Sequence, residues 1–512
     1  MTIVSSPTLT RDALAVLQPG FTGTTAPDWV LRRLGEGLGA VALFGRNIDT
    51  PEQVAALTAR LRAEVPDVIV AADEEGGDVT RLEVRTGSSF PGNHALGAVD
   101  DPALTDRVAA ALGRRLAACG VNLNWAPSAD VNSNPGNPVI GVRSFGADPQ
   151  LVARHTAAYI TGMQRAGVAA CVKHFPGHGD TSIDSHHDLP RVDADLDTLR
   201  VRELVPFRAA LAAGTKAVMS AHILLPAVDR ARPATLSPAA LTGLLRAAPA
   251  DGGLGFDGLI VTDGIEMRAI SAGYGIEHGT VLALAAGADA ICVGGGLCDE
   301  ETVLRLRDAL VEAVRSGELP EERLADAARR VRELGTWAAA RRAEGGSAAT
   351  GEDDTVGLTA ARRALTVTGA AGHRAPDGPV HVAALTPVAN IAVGDQTPWG
   401  VAAELARLLP GTTTATHRAD DADVLGTAGL TARVLDQAGD RRIVVVVRDV
   451  HRYRWMADVL HAVLDARPGS VVVEMGVPQA PPTGALHIAT HGAARVCGLA
   501  AAEVIAGRPA AP

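Results

Sequence analysis

Four histidines and three aspartates crowd into "KHFPGHGDTSIDSHHDLP", residues Lys173 to Pro190. Two chemistries use such a set. His174 and His178 have the i, i+4 spacing that puts two metal ligands on one helix face. Pro176 and Gly177 lie between them, and a proline inside a helix removes a hydrogen bond and clashes with the preceding turn. The helix that a zinc site needs is therefore disfavoured, and no metal is expected. Acid–base chemistry fits better. Lys173 and His174 close an apolar run, so the rest is a loop, where polar groups can reach a substrate. In an extended loop, residues two apart face one side, which lets Asp184 bond His186 while Ser185 points away. A carboxylate that orients an imidazole supports its cationic form, and a histidine titrates at about pH 6.5.

The bland alternative is a polar surface loop, with His178 and His187 as supporting or solvated residues. A second acidic residue argues against it. Asp263, in "GLIVTDGIEM", ends another apolar run, where its ordinary role would be to cap the following helix. A glycosidase needs a carboxylate and a proton donor, and Asp263 with His186 supplies both. Lysine occurs only at Lys173 and Lys216 among 47 basic residues, so a lysine inside the motif stands out.

The elements that would position these groups come from the apolar pattern. "GAVALF", "DVIVAAD", "GVNLNWAPSADV", "GVAACVKH", "TKAVMSAH", "GLIVTD" and "ADAICVGG" alternate with helical stretches such as "PEQVAALTARLRAEV", which is repeated β-α grammar. Polar residues end the runs at Asp73, Asp130, Lys173, His222 and Asp263. A doubly wound sheet gathers its site at one switch point, whereas a (β/α)8 barrel builds it from the C-terminal ends of many strands. The expectation is an α/β fold with a (β/α)8 TIM-like barrel over residues 1–345. "DALAVLQPGF" is the candidate for the remaining strand despite Pro19. The Gly-, Ser- and acid-rich 346–356 reads as a linker. Residues 357–512, with "HVAALTP", "RRIVVVV" and "SVVVEMGV", read as a smaller layered α/β domain.

Composition narrows the partners. The 512 residues are 47% hydrophobic and 21% charged, with a net charge of −11. That is globular composition without a basic footprint, so nucleic-acid and membrane binding are not expected. No apolar run reaches spanning length. The N-terminus lacks the pattern of a secretory signal, and five scattered cysteines suit reduced thiols. These point to the cytoplasm and a small substrate, with the oligomeric state left open.

"KHFPGHGDTSIDSHHDLP", together with "AADEEGGDVTRL", "NPVIGVRSFGADP", "VMSAHI" and "GFDGLIVTDGIEM", resembles the successive motifs of bacterial β-N-acetylglucosaminidases of glycoside hydrolase family 3. The likeness runs from about "LFGRNI" through the barrel. It implies an aspartate nucleophile at Asp263 and a proton donor at His186, assisted by Asp184. It implies sugar contacts from Asp73, Arg81, Arg143, Lys173 and His174, and no cofactor. The second domain resembles, more weakly, the α/β domain of two-domain members. The activity implied is retaining removal of terminal N-acetylglucosamine from a small carbohydrate. A phosphorylase and a non-catalytic sugar-binding protein are the alternatives. Two positions depart from the family pattern, where Glu74 replaces the usual Gln and Asp78 an Arg, and both are expected to add negative charge near the pocket. Lys173 is expected to place a positive charge beside Asp263 and keep it ionised.

Overall fold

The computed structural model describes residues 7–186, 188–345, 353–388, 393 and 396–508. His187 and residues 346–352 of the expected linker lie outside that set. The chain forms two compact units. One comprises Met1–Glu75, Thr105–Ile140 and Ala147–Thr350, the other Gly76–Leu104, Gly141–Gly146 and Gly351–Pro512.

In the first unit eight strands are parallel: β1 (Leu17–Pro19), β2 (Ala40–Leu43), β3 (Ile69–Ala72), β4 (Leu123–Asn124), β5 (Ala169–Phe175), β6 (Ala217–Ser220), β7 (Leu259–Thr262) and β8 (Ile291–Val293). A continuous curled sheet runs from β2 to β7 in chain order. A parallel bridge from Val261 to Ala290 carries it to β8, and β8 pairs with β1. Past the end of β1, the Asn47 amide donates to the Phe21 carbonyl at 2.8 Å. The strand suspected in "DALAVLQPGF" is thus β1.

Alternate residues of seven strands form the lumen, among them Ala40 and Ala42, Ile69 and Ala71, Ala169 and Cys171, Ala217 and Met219, Leu259 and Val261. Their period of two is that of any strand. The other face is buried too, which is why the strands read as unbroken apolar runs. Val331 and Leu334 of the Glu321–Ala343 helix join that cluster. The connecting helices start where the sequence provides for it. Thr50 accepts the Gln53 N–H at the head of Pro51–Glu64, and Asp148 accepts that of Gln150 at the head of Pro149–Arg165. Both helices carry proline in the first turn, where no donor is lost.

The second unit has a six-stranded sheet of β9 (Thr366–Thr368), β10 (His381–Leu385), β11 (Thr413–His417), β12 (Ile443–Val447), β13 (Val471–Glu474) and β14 (Leu486–Ala489). Their order is β11-β10-β12-β13-β14-β9, with only the edge strand β9 antiparallel. Val444, Val446, Val471 and Val473 pack into one hydrophobic layer, and Val445, Val447 and Val472 into the opposite one. The barrel-coding segment 76–104 belongs to this unit. The Val356–Ala364 helix lies against it so closely that a Cβ on Gly357 would meet the Ser89 carbonyl at 2.0 Å. Among the described residues no helix is long and apolar enough to cross a membrane. The five cysteines are unpaired, and only Cys298 is not buried.

Candidate active site

The polar residues at the C-terminal ends of the barrel strands fall into three linked groups. Asp73 directly follows β3. The turn after it is pinned by Asn124 of β4, whose amide oxygen accepts the Glu74 N–H at 3.0 Å and whose amide nitrogen donates to the Glu74 carbonyl at 2.8 Å. The buried Tyr159 hydroxyl donates to the Glu75 carbonyl at 3.3 Å. Lys173 Nζ lies 2.5 Å from Asp73 Oδ1 and 2.6 Å from Glu75 Oε1. The lysine side chain is 2% exposed and that of Asp73 18%, so the aspartate is the open member of the pair.

The second group centres on Asp130. His174 Nδ1 is 2.7 Å from its Oδ2, and the His174 and His178 N–H groups donate to Oδ1 at 3.2 and 2.7 Å. Ser128 donates to Oδ2 at 2.8 Å. Burial alone would raise this carboxyl, but His174 and His178 hold it well below the ordinary carboxylate range. His174 sits in β5 and His178 in the loop beyond it, not on a shared helix. The His178 Nδ1 is committed to Thr181 Oγ1 at 2.7 Å. Burial, with His174 beside it, brings His178 down to about 4. Among the described residues no group of three or more His, Cys, Asp or Glu is arranged to hold a metal ion.

The third group carries Asp263, the first residue after β7, partly open to solvent. Its Oδ1 accepts the Gly264 N–H at 2.8 Å. The Gly264 carbonyl takes the His222 Nε2–H at 2.9 Å, and His222 Nδ1 meets Thr235 Oγ1 at 2.9 Å. Burial pushes His222 downward, favouring the neutral ring. For Asp263, burial would raise the carboxyl, yet the rings of His174, His222 and His186 and the Gly264 N–H bring it down to about 2. Lys173, also expected to keep Asp263 ionised, is ion-paired with Asp73 and Glu75.

In the loop after β5, Asp184 Oδ1 lies 2.7 Å from His186 Nδ1 and accepts the His186 N–H at 2.9 Å. The His186 side chain is 27% exposed, that of Asp184 9%. The Ala269 N–H donates to the Ser185 carbonyl at 3.3 Å, tying this loop to the segment that follows Asp263. His186 therefore presents Nε2 as the nitrogen whose proton can change, with Nδ1–H directed at a carboxylate.

Six of the eight expected site residues thus belong to the first unit: Asp73, Lys173, His174, Asp184, His186 and Asp263. Arg81 and Arg143 belong to the second. Arg143 is 6% exposed, ends a 3-10 turn over Gly141–Arg143, and its carbonyl accepts from Asn93 Nδ2 at 2.7 Å. Asp78 corrects the expectation of added pocket charge. It is buried, ion-paired with Arg448 after β12, and accepts the Ala493 N–H at 2.7 Å. Its charge is matched within the second unit. Asp78→Ala should therefore destabilise that unit by about 3–5 kcal/mol, because it strands a largely buried guanidinium. Paired Asp78→Asn and Arg448→Met should recover most of the loss, since the Asn oxygen can still accept from Ala493. Urea unfolding of wild type and the two variants checks this.

Glu75, Asp130 and His222 are site residues to which the sequence assigned no role. Asp130 and His222 do stand at strand ends, and that position was the available signal. Glu75 was masked by its neighbour Asp73.

Residues 26–334 match the family model described as glycosyl hydrolase family 3 N terminal domain. The chain is 35% identical over 324 residues to β-hexosaminidase A of Pseudoalteromonas piscicida, covering 58% of this chain and 53% of that protein. It thus spans about half the length of that relative. It is 39% identical over 274 residues to a β-hexosaminidase of Stenotrophomonas maltophilia (strain K279a), covering 52% of this chain and 78% of that one. Among solved structures, a glycoside hydrolase family 3 β-N-acetylglucosaminidase from Paenibacillus sp. str. FPU-7 matches with a TM-score of 0.84 at 35% identity, over 98% of this chain and 97% of that one.

Proposed function

The chain belongs to glycosyl hydrolase family 3, and on that footing we propose that it is a retaining exo-β-N-acetylglucosaminidase. The observation that carries the reading is the pairing, at the strand ends of one barrel, of an ionised Asp263 with a His186 whose Nδ1 is held by Asp184. The likeness to relatives named β-hexosaminidase and β-N-acetylglucosaminidase supports the sugar.

In the first step an Asp263 oxygen attacks the anomeric carbon and the glycosidic C–O bond breaks. The departing oxygen takes the proton from His186 Nε2, leaving the ring neutral. In the second step water attacks the same carbon, His186 takes a proton from it, and the Asp263–carbon bond breaks. Two inversions give net retention. Asp73, Arg81, Arg143, Lys173 and His174 are the proposed contacts to the sugar. The substrates are terminal N-acetylglucosaminides of chitooligosaccharides or peptidoglycan-derived muropeptides. A cytoplasmic location fits the five unpaired cysteines. Mass spectrometry of products from a chitobiose and muropeptide panel, with proton NMR of the first-formed anomer, tests the reading. Release of the α-anomer, or no release of N-acetylglucosamine, would overturn it.

A second reading keeps the first step and changes the acceptor. Once His186 has given up its proton it is neutral, whereas a carboxylate donor would be an anion facing an incoming phosphate. At 4 Å and an effective dielectric of 20 that repulsion is roughly 4 kcal/mol per pair of unit charges. Hydrolysis remains the main reading, since Asp184 adds negative charge nearby. The expected result in non-phosphate buffer titrated with phosphate is a flat rate and no sugar-1-phosphate by phosphorus NMR. Its appearance at millimolar phosphate would make the enzyme a phosphorylase.

A further inference from the structure

We propose that Asp130 is a positioning residue for this reaction, fixing the proton location and placement of His174 and, through that ring, the charge environment of the nucleophile Asp263. The proposal rests on the glycosidase reading above. A carboxylate has about four lone-pair sites and accepts only. Four hydrogen bonds converge on Asp130, from Ser128 Oγ, His174 Nδ1 and the backbone N–H groups of His174 and His178. With the carboxyl held ionised, the hydrogen between Asp130 Oδ2 and His174 Nδ1 belongs to the ring. Nε2 is then the ring nitrogen of His174 that is not committed to Asp130. The same carboxylate clamps the backbone at both ends of His174–His178, so the ring and the start of the catalytic loop share one anchor. The rings of Asp184–His186 and Asp130–His174 thereby form two carboxylate–imidazole pairs whose charge is felt by one aspartate.

Asp130→Asn separates this role from packing. The Asn oxygen can still accept from the His174 and His178 N–H groups, but its NH2 would face Nδ1. The ring must then accept at Nδ1 and carry its hydrogen on Nε2, and the anion beside it is gone. Asp263 loses part of the field that keeps it ionised. Asp263 feels the rings of His174 on β5, His222 after β6 and His186 in the loop, and its own charge acts on Glu266 and on the Cys171 and Cys292 thiols. Asp130 itself faces His174, His178 and Glu203. Burial raises Glu203 to about 7 against the opposing pull of Arg202, so it could add an inflection of its own.

The test is the pH profile of kcat/KM on a nitrophenyl N-acetylglucosaminide for wild type, Asp130→Asn and Glu203→Gln, with thermal midpoints and nitrogen-15 NMR of labelled histidines. For Asp130→Asn we expect kcat to fall on the order of 10²- to 10⁴-fold, the upper figure being the cost of a wrong tautomer in a Ser-His-Asp triad. KM should change far less. The acid limb should move to higher pH by about 1–3 units, the scale of one neighbouring charge. Glu203→Gln should leave that limb in place. A folded Asp130→Asn enzyme with an unmoved acid limb overturns the proposal. If that variant does not fold, the wild-type spectrum decides, with His174 assigned by its loss in His174→Gln: a bare Nδ1 in the active enzyme refutes it. Failure of the glycosidase reading is distinguishable, because wild type itself would then turn over none of the substrates.

Discussion

Replacing Asp263 with asparagine is expected to lower turnover roughly 10⁴- to 10⁶-fold, the range met when a member of a nucleophile–acid/base unit is removed. The amide is isosteric, and its oxygen can keep the Gly264 N–H bond that the carboxylate makes now. Loss of activity should therefore come without loss of fold, and circular dichroism and the thermal midpoint should match wild type. What disappears is the anion. His174, His222, His186 and the Gly264 N–H bring Asp263 down to about 2 against its burial, which favours the ionised form that the first step needs. A 5-fluoro glycosyl fluoride should accumulate a covalent adduct on wild type, and peptide mapping should place it on Asp263. A label on Asp73, Asp130 or Glu266 instead would reassign the nucleophile.

His186→Ala should show a loss that depends on the leaving group. Departure of an alkyl or sugar alkoxide needs a proton, and general acid catalysis contributes about 10²- to 10⁴-fold. A nitrophenolate leaves with little help, so its loss should be small in the first step. Asp184→Asn should rank the two substrates in the same order with smaller effects, because the ring remains but its Nδ1–H loses an anionic partner. The loop is also tied down independently through the Ser185 carbonyl. Equal losses on both substrate types would mean that His186 shapes the loop and that another group gives the proton.

Strands buried on both faces were legible because burial leaves an unbroken apolar run, as in β3, β5, β12 and β13. β11 was not, since "TTATH" lies at a sheet edge and is largely solvated. β9 is an exposed edge strand of three residues. β4 shows the opposite error of length. "GVNLNWAPSADV" reads as one long strand, but the ladder holds only Leu123–Asn124, and the chain then runs beside β5 through isolated contacts such as Ala129 N–H to the Lys173 carbonyl at 2.6 Å. In the site, the Asp184–His186 spacing is local and could be read along the chain. The partners of Lys173 could not. Its neighbours come from the turn after β3, about 100 positions earlier, and a sequence reveals that an unusual lysine is wanted without revealing which carboxylates surround it. Asp78 misled for the same reason, since Arg448 lies some 370 positions later in the chain.

The bond from Ala493 to Asp78 spans 415 positions, and it bears on how the polypeptide matures on the ribosome. Residues 76–104 and 141–146 emerge early, yet the sheet they are destined for is complete only when β14 and the Arg495–Ile505 helix have been synthesised. During elongation these segments must wait with apolar residues such as Phe90, Leu96 and Phe145 uncovered. Closing such long loops is entropically slow, and exposed apolar surface in the interval favours aggregation. A chain stopped near residue 345 would carry residues 76–104 and 141–146 without the rest of their unit, and Asp78 without its partner Arg448.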